Sequence, residues 1–314
     1  MDKIELDNTK RSAFVSCPRQ FYWSQVLHLQ PQFGSTAIRY GVAFHALLEG
    51  YYTHIKENGW KSMLDPDAIL AAHKAGKESW EEETEGREYM EDFRTFDMCV
   101  STFVEYLTKY DYDLESMEIL AVEEIFYGDF NFKINGIPLY FMGIIDMVIK
   151  RDGLIWIVDH KTTGQPLVKM ANVLHRSPSF IGYEWAARNF LNLDSQGITV
   201  NYIHTSAYRN RKTGEYISYK KDFSRYPQVY SDHDLEQWRN SFIYTAGKIE
   251  ECLSFDSWPM YFDSCYNYNK SCSYTGLCEQ PCNYKDVNTE GFVTRKWDPR
   301  NRDKTVFKVK KEEN

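Results

Sequence analysis

The sequence predicts an α/β fold in which helices flank a sheet. Two observations carry this. Asn135-Gly136 and Asp152-Gly153 punctuate apolar runs between residues 119 and 160, and such dipeptides favour tight hairpins because the turn needs positive φ. Around that meander, residues 40–53, 65–110 and 232–254 carry apolar side chains at helical spacing, which predicts helices with one buried face.

Size and charge narrow the class. A chain of 314 residues with 43% hydrophobic content suits one large domain, or one domain with elaborations. Its net charge of −8 argues against a surface given over wholly to nucleic acid, yet permits a local basic contact. The 23 Tyr and 8 Trp offer rings that could stack on bases, although packing explains most of them. No apolar run reaches the length of a signal peptide or of a membrane span. The expectation is therefore a cytoplasmic protein, no membrane partner, and seven cysteines that need a role other than disulfides.

In chain order, a short helix is expected to reach Cys17, with another after Pro18, since Pro suits a first helical turn. In Tyr40 to Tyr52, residues Val42, His45, Leu48 and Glu49 lie near one helical face. A lone His there is usually a satisfied packing residue. Asp65-Pro66 begins a helix, and Phe93, Phe96, Val100, Phe103 and Leu107 mark the next, with Cys99 in its core. The run from 119 to 160 is an antiparallel meander. Glu123 and Glu124 lie on its first strand; they could approach the carboxylates of the paired strands, but a solvated edge is the expectation. Residues 178–192 read as a helix, 198–206 as a central strand, and Arg209 to Lys221 as a basic hairpin. Leu235, Trp238, Phe242 and Ile249 give residues 232–254 one apolar face.

Chemistry concentrates in Gly143-Ile144-Ile145-Asp146 and Ile157-Val158-Asp159-His160-Lys161-Thr162-Thr163-Gly164. Asp159 and Lys161 are two apart on a strand, so they share a face, and Asp146 can reach that face from the paired strand. Charges placed in apolar strands are paired or hold a metal. A lone Asp-x-Lys is most often a structural pair, but the upstream Asp146 weighs against that here.

These motifs resemble the PD-(D/E)xK nucleases, in particular the RecB-like exonuclease branch, whose text is G-x-I-D followed by a D-x-K-T hairpin strand. The resemblance implies a restriction-endonuclease-like core, a mixed central sheet flanked by helices. It implies that Asp146 and Asp159 bind Mg²⁺ or Mn²⁺ and that Lys161 positions or activates the attacking water. Gly41 to Glu49 resembles the first motif of that branch, which makes His45 a metal ligand and the His160 backbone carbonyl a further one. Neutral imidazole suits Mn²⁺ better than Mg²⁺. The branch carries Gln-x-x-x-Tyr on the following helix. Tyr183 matches and joins the expected catalytic set, while Ser179 stands at the Gln position.

Four cysteines fall within residues 265–282, with no C-x-x-C pair. Cys272-Ser-Tyr274 leading to Cys278, together with Ser12 to Trp23 around Cys17, is similar to the iron–sulfur members of that branch. Those include CRISPR-associated RecB-like exonucleases and the AddB nuclease domain. The resemblance implies that Cys17, Cys265, Cys272 and Cys278 hold a [4Fe–4S] cluster joining the N- and C-terminal segments. Cys282 competes with Cys265, and a four-Cys Zn²⁺ site is the structural alternative.

The expected organisation is a nuclease domain over residues 1–284, with cluster-binding segments near 12–30 and 260–284, then a basic tail over 285–314. The expected activity is metal-dependent hydrolysis of DNA, exonucleolytic and on single strands or free ends. The alternative is an inactive cluster-bearing binding module. No G-x-x-x-x-G-K-[ST] helicase loop occurs, so unwinding would need a helicase, recombination or CRISPR partner.

Overall fold

The computed structural model describes residues 2–267 and 270–296. In chain order the regular elements begin with β1 (Ile4–Leu6), α1 (Asn8–Ser16), α2 (Pro18–Phe21), β2 (Leu29–Pro31), α3 (Thr36–Asn58), α4 (Pro66–Thr84), α5 (Phe96–Lys109) and α6 (Asp113–Ser116). They continue with β3 (Met117–Ile134), β4 (Ile137–Arg151), β5 (Leu154–Thr163), α7 (Leu167–Ala171), α8 (Pro178–Asn189), β6 (Ser195–Arg209), β7 (Tyr216–Gln228) and α9 (Asp232–Ser254). The short elements β8 (Tyr266–Asn267), β9 (Lys270–Ser271), α10 (Thr275–Cys278) and β10 (Phe292–Thr294) complete the chain. This is a mixed α/β architecture with a central mixed sheet flanked by helices, consistent with a restriction-endonuclease-like fold. Among the described residues no helix is long and apolar enough to cross a membrane.

Local chemistry explains the punctuation. Asn135 and Gly136 have φ of 51° and 85°, and Asp152 and Gly153 have φ of 52° and 79°, so both turns adopt the left-handed conformation that matches strand twist. Asp7, Ser35, Asp65 and Thr95 cap α1, α3, α4 and α5 by accepting a backbone N–H of the first turn. The Thr95 cap also corrects one expectation. It starts α5 at Phe96, which leaves Phe93 in the preceding loop rather than on the helix.

The chain gathers into two compact units that share β3, β4 and α9. The first unit holds residues 2–33, 125–143 and the described part of 236–296. In it β1 runs parallel to β4, with Ile4 beside Leu139 and Leu6 beside Phe141. Phe130, Phe141, Trp238 and Phe242 pack with ring centroids 4.9–6.2 Å apart. The chain from 285 onward was expected to be a tail. Instead β10 pairs antiparallel with β2 from Leu29↔Thr294 to Pro31↔Phe292, and Phe292 stacks on Tyr274. The backbone N–H and C=O groups of residues 292–294 thus find partners, and apolar Phe292 finds cover. The rest of the expected tail, residues 297–314, lies outside the described residues.

The second unit holds residues 34–124 and 144–235. There β5 is antiparallel to β4 and parallel to β6, and β7 is antiparallel to β6, which makes the sheet mixed. One face of β5 and β6 packs on α3 and α5. Tyr40, Phe44, Leu47, Tyr51, Phe103 and Tyr106 are all at most 1% exposed in that core, and Cys99 lies among them.

Candidate active site

The β4–β5 ladder runs from Arg151↔Leu154 to Met147↔Val158. One residue beyond it, the Asp146 side chain takes over, and its Oδ2 accepts the His160 backbone N–H at 2.7 Å. Helix α3 brings in His45. One turn earlier, Gly41 lies so near β5 that a Cβ there would sit 2.8 Å from Thr162 Oγ1. The missing side chain lets α3 press onto the strand, and His45 Nδ1 comes to 3.4 Å from Asp146 Oδ2.

Glu123 belongs to the same cluster. Its carboxylate, His45 and Asp146 each offer one ligand atom, and these three atoms lie within 4.8 Å of one another. Glu123 is 8% exposed and has a φ of 50°, whereas Glu124 is half-buried. The solvated-edge expectation for Glu123 is therefore corrected. A left-handed residue inside β3 breaks the alternation of faces, so strand period alone could not say which glutamate turns inward. The available signal was two adjacent carboxylates inside an apolar strand.

Asp159 is 2% exposed and pairs with Lys161, whose Nζ lies 2.9 Å from Oδ1 and 2.7 Å from Oδ2. It stands outside the trio of mutually close ligand atoms, because its carboxylate turns toward the cation two residues along its own strand face. Oδ2 is buried and has no aligned hydrogen-bond donor despite that short approach. Burial, opposed by Lys161 and reinforced by Asp146, pushes the Asp159 carboxyl up to about 6. Burial works against the Lys161 ammonium, but Asp159 and then Asp146 outweigh it and hold the proton firmly, with Tyr183 adding to the same field. Helix α8 brings the half-buried Tyr183 to this end of β5, and its Phe180 ring lies 5.9 Å from Lys161 Nζ. Ser179, at the departed Gln position, starts the same helix.

His160 contributes its N–H to Asp146, as described. Its ring lies on the opposite side of the strand, stacked on Tyr52 with centroids 6.2 Å apart. Burial, with help from His45 and Arg225, keeps the ring neutral. Its Nδ1 is 2.8 Å from Asn201 Nδ2, which also donates to Tyr106 Oη at 2.7 Å. Arg225 donates to the same Tyr106 oxygen at 2.9 Å and forks onto Asp113 at 2.6 and 2.5 Å. A buried polar chain thus anchors the back of the strand that carries Asp159 and Lys161. None of its members except His160 stood out in the sequence, because lone Asn, Tyr and Arg residues carry no motif.

The thiols gather elsewhere, within the first unit. Cys17, Cys265, Cys272 and Cys278 line one cavity of about 280 Å³, together with Gln20, Tyr261 and Tyr274. Tyr261 N–H donates to Cys17 Sγ at 3.4 Å, and Trp23 Nε1–H to Cys278 Sγ at 3.5 Å. Among the described residues no three cysteine sulfurs lie within 4.8 Å of one another. Cys282 is exposed and does not line the cavity, and Cys99 is buried in the other unit's core.

A sequence model of the PD-(D/E)XK nuclease superfamily matches residues 8–279. The chain belongs to this superfamily. No curated protein matches it. PD-(D/E)XK proteins are typically metal-dependent nucleases, so the membership points to nuclease chemistry with DNA as substrate. The donors present fit a divalent ion. His45, Glu123 and Asp146 supply one imidazole and two carboxylates at close quarters, and Asp159 adds a buried oxygen lacking an aligned donor.

Proposed function

We propose that this PD-(D/E)XK protein is a divalent-metal-dependent deoxyribonuclease, an exonuclease that acts on single-stranded DNA or free ends. The observation that carries the reading is the convergence of His45, Glu123 and Asp146 beside the buried Asp159–Lys161 pair. A divalent ion held there would activate water and neutralise charge on the scissile phosphate. His45, Asp146 and Asp159 are the proposed ligands, now joined by Glu123. The His160 backbone carbonyl remains a proposed further ligand. The imidazole among them favours Mn²⁺ at least as much as Mg²⁺.

Lys161 has a distinct role in this reading. Two carboxylates hold its proton, so it acts as an ammonium that orients the attacking water and offsets phosphate charge, not as the general base. Tyr183 assists by fixing the lysine's surroundings. The proposed setting is recombination, repair, or CRISPR or phage DNA processing, with strand separation supplied by a partner.

The cysteines extend the proposal. Four thiols lining one cavity are the observation behind a proposed [4Fe–4S] cluster held by Cys17, Cys265, Cys272 and Cys278, with a four-Cys Zn²⁺ site as the alternative. Such a cluster would join the N-terminal helices to residues 265–278.

The test is degradation of end-labelled single-stranded DNA with Mn²⁺, comparing anaerobically purified wild type with Lys161→Ala. Loss of cleavage in the variant supports the site. Equal cutting by both proteins places the activity elsewhere. Binding without cutting by either protein favours the alternative, a cluster-bearing module without catalysis.

A further inference from the structure

The sheet that carries Lys161 continues beyond it. Lys161 pairs in register with Tyr202 and Thr163 with His204, so on β6 the residues Tyr202, His204, Ser206 and Tyr208 lie on the Lys161 face. On β7 that face continues through Lys220, opposite Ser206, and Ser218, opposite Tyr208. Tyr202 and His204 are buried, so the accessible part of this face runs from Ser206 to Tyr208 on β6 and over Ser218 and Lys220 on β7.

The two faces of this hairpin are treated differently. On the far face, Tyr216 and Tyr219 are covered by Phe93, with centroids 5.5 and 6.0 Å away, and Lys221 is tied to Ser101 and Glu105. On the Lys161 face, Tyr208 is 66% exposed and has no ring partner among the described residues. Lys220 is exposed and makes no ion pair among them. Between these residues and Lys161 sits His204, 6% exposed, whose Nδ1 is buried with no hydrogen-bond partner. The tip adds Arg211 and Lys212, both exposed, against the single acid Glu215. On this face Asp222, opposite His204, is the one acid beside Lys220. An exposed ring and a cation at the outer end of the face, with two more cations at the tip, suit a polynucleotide, which offers a stacking base and a phosphate at each step.

We infer that the Lys161 face of the β6–β7 hairpin is a track for a single polynucleotide strand, with Tyr208 stacking on a base and Lys220 holding a backbone phosphate. The inference rests on the nuclease reading for its direction, since the track leads away from the proposed site. It also gives a protein of net charge −8 a local, positively charged grip.

The test is fluorescence anisotropy of a labelled oligonucleotide of roughly 12 nucleotides in chelator, so that nothing is cut. Tyr208→Ala and Lys220→Ala should each weaken binding about tenfold. Tyr208→Phe should bind like the wild type, which separates stacking from misfolding. Lys220→Ala should also lower the slope of log affinity against log salt by about one. Lys74→Ala, on the exposed side of α4, is the control. Unchanged binding in both hairpin variants overturns the track. The nuclease reading is judged separately, by wild-type hydrolysis of thymidine 5′-p-nitrophenyl phosphate with Mn²⁺. Weakened strand binding without that hydrolysis would keep the track and remove the nuclease.

Discussion

Asp146 Oδ2 accepts the His160 backbone N–H at 2.7 Å and lies 3.4 Å from His45 Nδ1, so one oxygen both extends the β4–β5 pairing and faces the proposed metal. The two duties can be separated. Asp146→Asn keeps an acceptor for the N–H and loses the negative charge, so it should fold like the wild type and lose Mn²⁺ binding. Asp146→Ala also strands the N–H, and should cost a further 1–3 kcal/mol or so in stability. Calorimetric titration with Mn²⁺ and urea denaturation read the two effects. Equal stability of both variants would show that the hydrogen bond adds nothing.

Glu123 and Glu124 are adjacent and chemically identical, yet only Glu123 joins the cluster. Glu123→Gln should lower Mn²⁺ affinity by about tenfold or more, in line with the loss of a charged ligand. Glu124→Gln should leave it unchanged. Similar losses in both would return Glu123 to the solvated edge.

Metal uptake should depend on pH through Asp159, whose carboxyl burial pushes up to about 6. A protonated carboxyl cannot ligate. Affinity should therefore be weak below that value, climb as pH rises through it, and level off above. Lys161 keeps its proton throughout, so it adds no second limb. Mn²⁺ titrations across that window check the sign, and affinity that fell with rising pH would contradict it.

Arg225 forks onto Asp113, which also lies 3.4 Å from Arg151. Asp113→Ala would leave two guanidinium groups without their shared carboxylate. The expected loss is about 3–5 kcal/mol, the range for breaking a buried pair from one side. Urea midpoints measure it. A loss below about 1 kcal/mol would mean that solvent already screens the pair.

Cys265 and Cys282 separate by position. Cys265→Ser should reduce iron per protein after anaerobic purification, and Cys282→Ser should retain it, because only Cys265 lines the cavity. Stoichiometric zinc with no iron would instead select the tetrahedral site.

How much was legible in the sequence follows from the range of each interaction. The two hairpins, the helix start at Asp65 and the Asp159–Lys161 pair are local, and the residues that fix them are neighbours in the chain. His45 was legible through its spacing from Gly41, and the structure supplies the reason in the close approach of α3 to Thr162. Glu123 was not legible, because a single positive φ decides its direction. The chain from His160 through Asn201, Tyr106 and Arg225 to Asp113 was hidden for a different reason. Each link joins segments far apart in sequence, and each residue alone looks ordinary. The strand at Phe292–Thr294 was hidden too, since its partner lies near the opposite end of the chain.

That last kind of contact bears on how the protein is made. Trp23 meets Cys278 across 255 residues, and Leu29 meets Thr294 over a similar span. At roughly 5–20 residues per second, a ribosome needs tens of seconds to deliver the second partner after the first has emerged. During that interval Trp23, Phe21 and Cys17 wait uncovered on the nascent chain. A truncation before residue 258 would also remove Trp258, which stacks on Phe21, and Tyr261, which meets Cys17, and so leave them uncovered permanently, so degradation or chaperone capture is the expected fate of such fragments.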